Sequence, residues 1–154
     1  IPPLEHFIRD VHAAGCPMIG VCFGHQIIAQ ALGGRVEKFA GGWSVGRTEY
    51  DMSGQQVAIN AWHQDQVVEK PAEAEVFAST DFCANAGLVY GDTIWTIQPH
   101  PEYDSDFIAA LIEKRGKGDV PDDLLDEASA KLDQPTDRMD IARIMAEFFK
   151  KERA

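Results

Sequence analysis

Residues 19–34 read IGVCFGHQIIAQALGG, an apolar run that passes through a cysteine between two glycines into a helical pattern. Residues 17–21 predict a short buried strand, and apolar residues at helical spacing predict a following helix that ends at Gly33 and Gly34. A sharp turn from strand to helix exposes the side chain at its centre, which here is Cys22. The stretch therefore predicts one step of an α/β fold with a cysteine at the carboxyl end of a strand.

The predicted position of Cys22 favours a reactive thiolate. The N-terminus of a helix offers unpaired backbone N–H groups and a positive dipole end, which stabilise a negative sulfur. The amide of Phe23 could also hold a developing oxyanion. Gly20 and Gly24 are expected to leave room for the turn and for close packing. Two other interpretations of this stretch stay open, namely an inert buried cysteine and a turn that binds a nucleotide phosphate.

The rest of the chain predicts further strands and several helices. Short β-rich pieces separated by Gly, Asp, Asn and Pro cover 35–39, 43–52, 56–62, 74–80, 86–91 and 93–98. Helical spacing of apolar residues occurs over 4–14, 107–114, 124–132 and 139–151. We expect an α/β fold in a single domain over residues 1–154, with a mostly parallel sheet flanked by helices and additional antiparallel strands.

Composition and charge narrow the classes of function. The 154 residues are 45% hydrophobic, which suits one globular domain. A net charge of −11 disfavours binding to nucleic acid or to an anionic membrane. The chain shows neither a signal peptide nor an apolar run of about 20 residues, so we predict a cytoplasmic location. The three cysteines, Cys16, Cys22 and Cys83, lack metal-type spacing, and we expect reduced thiols with no metal and no cofactor.

Residues 93–103, TIWTIQPHPEY, contain the base that a cysteine nucleophile needs. His100 follows an apolar strand, and Glu102 lies two residues further along, so both side chains point the same way in an extended segment. If the two strands end at the same edge of the sheet, His100 can deprotonate Cys22 while Glu102 fixes the imidazole tautomer. Taken alone, the segment could equally be a rigid turn with an exposed histidine.

Three segments together, GVCFGHQIIAQALGG, HQDQV and QPHPE, resemble the class I, triad-type glutamine amidotransferases in order and spacing. The resemblance is greatest to the stand-alone, GMP-synthetase-like branch and its γ-glutamyl peptidase relatives. It implies a flavodoxin-like fold and a glutaminase-type reaction. In that reaction Cys22 attacks the γ-carbonyl, and His100 protonates the departing ammonia or amine. Glu102 would orient His100, and the Phe23 amide would hold the oxyanion.

The same resemblance implies how a glutamine or γ-glutamyl substrate is held, and the chain departs from the family there. Gln26 would contact the amino-acid end of the substrate, and the backbone around Trp62 and His63 would hold its α-carboxylate. Relatives usually carry a small residue where this chain has Trp62, which could narrow or cap the pocket. The family's domain also has strands and a glycine-rich loop before the segment equivalent to Ile1. We therefore expect a domain that is incomplete at its N-terminus.

Three functional hypotheses follow, each from a different class. The first is a glutaminase that passes ammonia to a partner synthetase, and the second is a hydrolase of γ-glutamyl peptides or glutathione conjugates. The third is a non-catalytic binding or regulatory module. Intact Cys22, His100 and Glu102 argue against the third hypothesis. The resemblance favours the first hypothesis over the second.

Overall fold

The computed structural model describes residues 1–153, which contain both helices and strands. In chain order they are α1 (Pro2–Ala13), β1 (Met18–Val21), α2 (Phe23–Ala31), β2 (Arg35–Lys38), β3 (Ser44–Met52), β4 (Gln55–His63), β5 (Asp65–Glu69), β6 (Glu75–Ser79), β7 (Gly87–Tyr90), β8 (Ile94–Ile97), α3 (Ser105–Leu111), α4 (Asp122–Ala130) and α5 (Arg138–Lys150). A π-helical turn, Ile112–Gly116, continues α3. Among residues 1–153, no helix is both long and apolar enough to cross a lipid bilayer.

The predicted strand and helix on either side of Cys22 are confirmed, since β1 ends at Val21 and α2 begins at Phe23. The strand β5 was not predicted. It begins two residues after β4 ends and pairs antiparallel with β2 in a separate two-stranded sheet. Its first residue, Asp65, ends the polar stretch HQD, which carries no hydrophobic alternation that would predict a new strand at that point.

The main sheet has six strands in the order β1-β8-β7-β6-β3-β4. Only β1 and β8 are parallel, while the four other neighbouring pairs are antiparallel. The α/β class is confirmed, but the expectation of a mostly parallel sheet is corrected to a mixed one. Two of the four antiparallel pairs, β3–β4 and β7–β8, follow from short turns, because strands joined by two or three residues can only become antiparallel neighbours. Ser53 and Gly54, with φ of 52° and 88°, form such a turn between β3 and β4.

Helices cover both faces of the sheet. Buried side chains of α1 and α2, including Ile8 and Ile28, pack with Ile94 of β8 in one cluster. On the other face, Ile141 of α5 packs in a second cluster with Trp95 of β8. Neighbouring residues of β8 therefore point into opposite clusters, as the alternation of a strand requires. Because β8 is covered on both sides, it forms a rigid support for the residues that follow it.

The turn between β1 and α2 has an unusual backbone. Cys22 has φ of 50° and ψ of −102°, in the positive φ region that side chains rarely adopt. A side chain on Gly20 would lie 2.7 Å from the backbone of Gly24 and from Ile28 Cδ1, so only glycine lets α2 pack this closely on β1. Gly24 differs from the expectation, because a Cβ there would meet no atom within 4 Å. The steric need for glycine therefore lies at Gly20 alone.

We expect Gly20→Ala to destabilise the protein by about 1–3 kcal/mol, because the added methyl group overpacks the contact between α2 and β1. The matched variant Gly24→Ala adds the same group where space is open and replaces a helical glycine. It should be neutral or stabilise the protein by up to about 1 kcal/mol. Urea denaturation of both variants measures the two free energies of unfolding. Equal effects would contradict the assignment of the steric constraint to Gly20.

Candidate active site

The parallel pairing of β1 and β8 brings the ends of the two predicted motifs together. Cys22 follows the last residue of β1, and its backbone N–H donates to the carbonyl of Ile97, the last residue of β8, at 2.9 Å. The thiol is partly exposed and lines a cavity of about 350 Å³. The other lining residues are Gln26, Lys38, Trp43, Trp62, His63, Gln64 and Asp65.

His100 and Glu102 form a short hydrogen bond, with 2.6 Å between Nδ1 and Oε1. His100 also lies close enough to the Cys22 side chain to be affected by its charge. Burial by itself lowers the pKa of His100, but the neighbouring Cys22 sulfur and the hydrogen bond to Glu102 outweigh burial and raise it to about 9. Burial likewise opposes ionisation of Glu102, yet its pKa falls below the usual range because of the bond to His100. The structure thus places the three predicted side chains next to one another, with His100 and Glu102 hydrogen-bonded.

Two residues that the sequence analysis missed hold His100 in place. The backbone carbonyl of Asn60 accepts from the His100 N–H at 2.8 Å, and the Asn60 side chain donates to the carbonyl of Tyr103 at 3.0 Å. The Tyr103 ring stacks on the imidazole, with 3.9 Å between ring centroids and 3° between planes. Because both the backbone and the ring of His100 are held, the imidazole has little freedom to turn away from Cys22.

Two further histidines near Cys22 are buried and neutral. Burial lowers the pKa of His25 to about 3, and its Nδ1 lies 2.8 Å from the hydroxyl of Thr96. Burial also lowers the pKa of His63 to about 4. Nδ1 of His63 donates to the carbonyl of Asp65 at 3.2 Å, which leaves Nε2 as an acceptor with no partner within the described residues. His100 is therefore the charged histidine of this site at neutral pH.

Gln26 lines the same cavity as Cys22, and its amide N–H₂ group is bound by the protein. Nε2 donates to the carbonyl of Asp65 at 2.9 Å and to Oε1 of Gln98 at 3.2 Å. Gln98 was missed by the sequence analysis, where it was simply part of QPHPE. Its Nε2 donates to the Cys22 sulfur at 3.6 Å. The signal that could have identified it is a polar residue directly after an apolar strand, where the structure buries it fully.

The remaining predicted residues lie around the cavity. Phe23 is the first residue of α2, where backbone N–H groups have no partners within the helix, and its side chain is exposed. Trp62 lines the cavity together with Trp43, and their rings meet edge to face with centroids 6.3 Å apart. Both tryptophans therefore border the pocket. Within residues 1–153 no group of three His, Cys, Asp or Glu side chains could hold a metal ion.

The geometry provides a nucleophile, a proton carrier and a polar pocket in one place. Cys22 supplies sulfur at a helix N-terminus, and His100 supplies a proton that Glu102 helps to hold. The cavity of about 350 Å³ lies at the small end of the range of ligand pockets. Such a constellation is able to transfer an acyl group through a covalent thioester.

Comparison with known proteins gives matches in sequence and in fold. The family model described as glutamine amidotransferase class-I matches residues 2–113. γ-Glutamyl peptidase 3 of Arabidopsis thaliana is 29% identical over 126 residues, which cover 72% of this chain and 48% of that protein. One subunit of the glutamine-hydrolysing GMP synthase of Methanopyrus kandleri is 34% identical over 96 residues, which cover 56% of this chain and 51% of that protein.

A solved glutamine amidotransferase from Thermotoga maritima superposes with a TM-score of 0.76 at 19% identity. The alignment covers 97% of this chain and 70% of that structure, and it confirms the expected fold. The chain spans about half the length of these two curated relatives.

Cys22 should be the first thiol to react when the folded full-length protein meets iodoacetamide. It lies at a helix N-terminus with a charged imidazole beside it, whereas burial raises the pKa of Cys83 to about 12. Cys16 is exposed and lies between α1 and β1 rather than at the start of a helix, so it serves as the internal reference thiol. Peptide mass mapping at short times measures the order of labelling. Labelling of Cys16 before Cys22 would contradict the assignment of Cys22 as nucleophile.

Proposed function

Because this chain belongs to the class I glutamine amidotransferase family, we propose that it cleaves the γ-amide of glutamine with Cys22 as the nucleophile. Members of this family are in general cysteine-dependent amidohydrolases. The observation that carries the proposal is the placement of Cys22, after β1, beside the hydrogen-bonded pair His100 and Glu102, after β8. The whole protein's activity, substrate and partners are part of this proposal.

In the proposed reaction the Cys22 sulfur attacks the γ-carbonyl carbon of glutamine, and the carbonyl oxygen takes up the negative charge. The backbone N–H of Phe23 donates to this oxygen. His100 gives its proton to the departing nitrogen, the C–N bond breaks, and ammonia leaves a γ-glutamyl thioester on Cys22. His100 then accepts a proton from water as the water attacks the thioester. Glutamate leaves, and the sulfur and imidazole regain their starting state.

Glu102 orients His100 during both half-reactions. Its carboxylate accepts the hydrogen bond from Nδ1, so the other ring nitrogen faces Cys22. The same hydrogen bond favours the charged imidazole, which is the form that protonates the leaving group. The proposed mechanism assigns no step to a metal or a cofactor.

The cavity beside Cys22 is the proposed site for the glutamyl group. Gln26 would contact its amino-acid end through Oε1, since Nε2 is already bound to the protein. The backbone around Trp62 and His63 would hold the α-carboxylate.

The ammonia acceptor is proposed to be a partner synthetase, since one relative is named as a component of a GMP synthase. The cytoplasm is the proposed location.

A second candidate function is hydrolysis of γ-glutamyl peptides, which is favoured by the similarity to γ-glutamyl peptidase 3. The Trp43 and Trp62 rings also border the cavity where a larger leaving group could stack.

Glu102→Gln should reduce turnover of glutamine by about 10²–10⁴-fold, because a neutral amide cannot stabilise the charged imidazole. Loss of the carboxylate also lowers the pKa of His100, so the alkaline limb of the kcat profile should move to lower pH. Circular dichroism checks that the fold is intact, and Glu75→Gln on the exposed side of β6 is the matched control. Unchanged turnover in Glu102→Gln would remove Glu102 from the mechanism.

Steady-state kinetics on glutamine and γ-glutamylglycine separate the two candidate functions. We expect the full-length protein to hydrolyse glutamine slowly without its partner, and to hydrolyse the dipeptide no faster. The comparison uses kcat/KM, because this ratio measures transition-state binding from the free enzyme. A tenfold preference for the dipeptide, equivalent to about 1.4 kcal/mol, would make the peptidase function the better assignment.

A further inference from the structure

Gln98 is a fully buried polar side chain that the mechanism above does not use. It follows the last residue of β8, and its backbone N–H donates to the carbonyl of Ala86 at 2.7 Å. No part of the residue is exposed to solvent. A buried amide is costly unless its hydrogen bonds are made, so the partners of this side chain define what it does.

The orientation of the Gln98 amide is fixed by hydrogen bonds that run from the Asp65 carbonyl through the Gln26 side chain. The backbone carbonyl of Asp65 can only accept, so the group of Gln26 that lies 2.9 Å from it is the N–H₂ group. The second hydrogen of the Gln26 N–H₂ group points at the side chain of Gln98. Because a hydrogen needs an acceptor, the Gln98 atom that lies 3.2 Å from Gln26 Nε2 is Oε1. The N–H₂ group of Gln98 must then face the other way, toward the Cys22 sulfur at 3.6 Å.

We propose that Gln98 is a second hydrogen-bond donor to the Cys22 sulfur, held in that role by Gln26 and the Asp65 carbonyl. This inference rests on the proposed function, in which the sulfur is the nucleophile. Hydrogen bonds to a charged group are stronger than those to a neutral one, so this donor favours the thiolate over the thiol. Two donors, His100 and Gln98, then share the negative sulfur.

The donor matters at two points of the reaction. Before glutamine binds, the Gln98 N–H₂ group stabilises the charged sulfur, including when the proton of His100 moves toward that sulfur. When water has attacked the thioester, the C–S bond breaks and its electron pair returns to sulfur. The N–H of Gln98 stabilises that departing thiolate, while the acyl carbon leaves as the carboxyl of glutamate. Gln98 therefore assists release of the product more than it assists the first attack.

The same chain of hydrogen bonds connects the sulfur to the substrate pocket. Gln26 lines the cavity and at the same time orients Gln98. A change at Gln26 should therefore alter the reactivity of the sulfur as well as the binding of substrate. A residue that only bound substrate would leave the reactivity of the free enzyme unchanged.

The test is the rate of Cys22 alkylation by iodoacetamide between pH 5 and 9, followed by peptide mass mapping of the full-length protein. In Gln98→Met the midpoint of the pH–rate profile should rise by about one pH unit or more, since a hydrogen bond to a charge is lost. Gln98→Glu should raise the midpoint further, because a carboxylate repels the thiolate. Gln26→Met should cause a smaller rise in the same direction.

Gln66→Met is the matched control, since Gln66 is another buried glutamine, on β5, and makes no contact with Cys22 in this network. Its midpoint should match that of the wild type. Melting curves establish that each variant folds, and Gln26→Met carries the test if Gln98→Met does not fold. An unchanged midpoint in folded Gln98→Met, or in Gln26→Met where it replaces that variant, overturns the inference.

Wild-type activity distinguishes this failure from failure of the proposed function. If wild-type Cys22 reacts first and glutamine is hydrolysed, an unchanged midpoint rejects only the role of Gln98. If wild-type protein neither labels Cys22 first nor hydrolyses glutamine, the proposed function is wrong, and the role of Gln98 falls with it.

Discussion

The backbone of Cys22 is the constraint on which the rest of the site depends. Its positive φ costs on the order of 1–3 kcal/mol and persists only because the surrounding structure holds it. The N–H of Cys22 is bound to β8, and its carbonyl accepts from Gln26 in the first turn of α2, at 3.1 Å. Packing of α2 across Gly20 fixes the angle between strand and helix. Burial of the apolar face of α2 stabilises the whole arrangement and offsets the strain.

The one parallel strand pair in the main sheet is what makes the two motifs meet. Carboxyl ends of parallel neighbours lie at the same edge, so Cys22 after β1 and His100 after β8 approach each other. An antiparallel pairing of these strands would place the two motifs at opposite edges. The antiparallel part of the sheet supplies β4. The carbonyl of Asn60 on β4 accepts from the backbone N–H of His100, and this contact holds the pocket-lining residues of β4 next to Cys22.

Local patterns were sufficient to predict the residues with the clearest chemistry. The glycine-bounded cysteine and the segment QPHPE each lie within a few residues, and in the structure Cys22 lies beside the hydrogen-bonded pair His100 and Glu102. Strand pairing could not be predicted in the same way, since it depends on contacts between residues far apart in sequence. The expectation of a mostly parallel sheet failed for this reason. Gln98 and Asn60 escaped notice because their roles arise from partners on other strands.

The three histidines around Cys22 also make the stability of the fold depend on pH. His25 and His63 take up protons in the unfolded chain near pH 6.5 but resist them in the folded chain, so acid shifts the equilibrium toward unfolding. His100 has the opposite linkage, because folding raises its pKa. Its contribution is complete below about pH 6.5 and is lost as the pH rises through about 9. The combined contribution of these histidines therefore peaks near pH 6.5 and declines on both sides, so the site that performs the chemistry also makes the protein sensitive to acid and alkali.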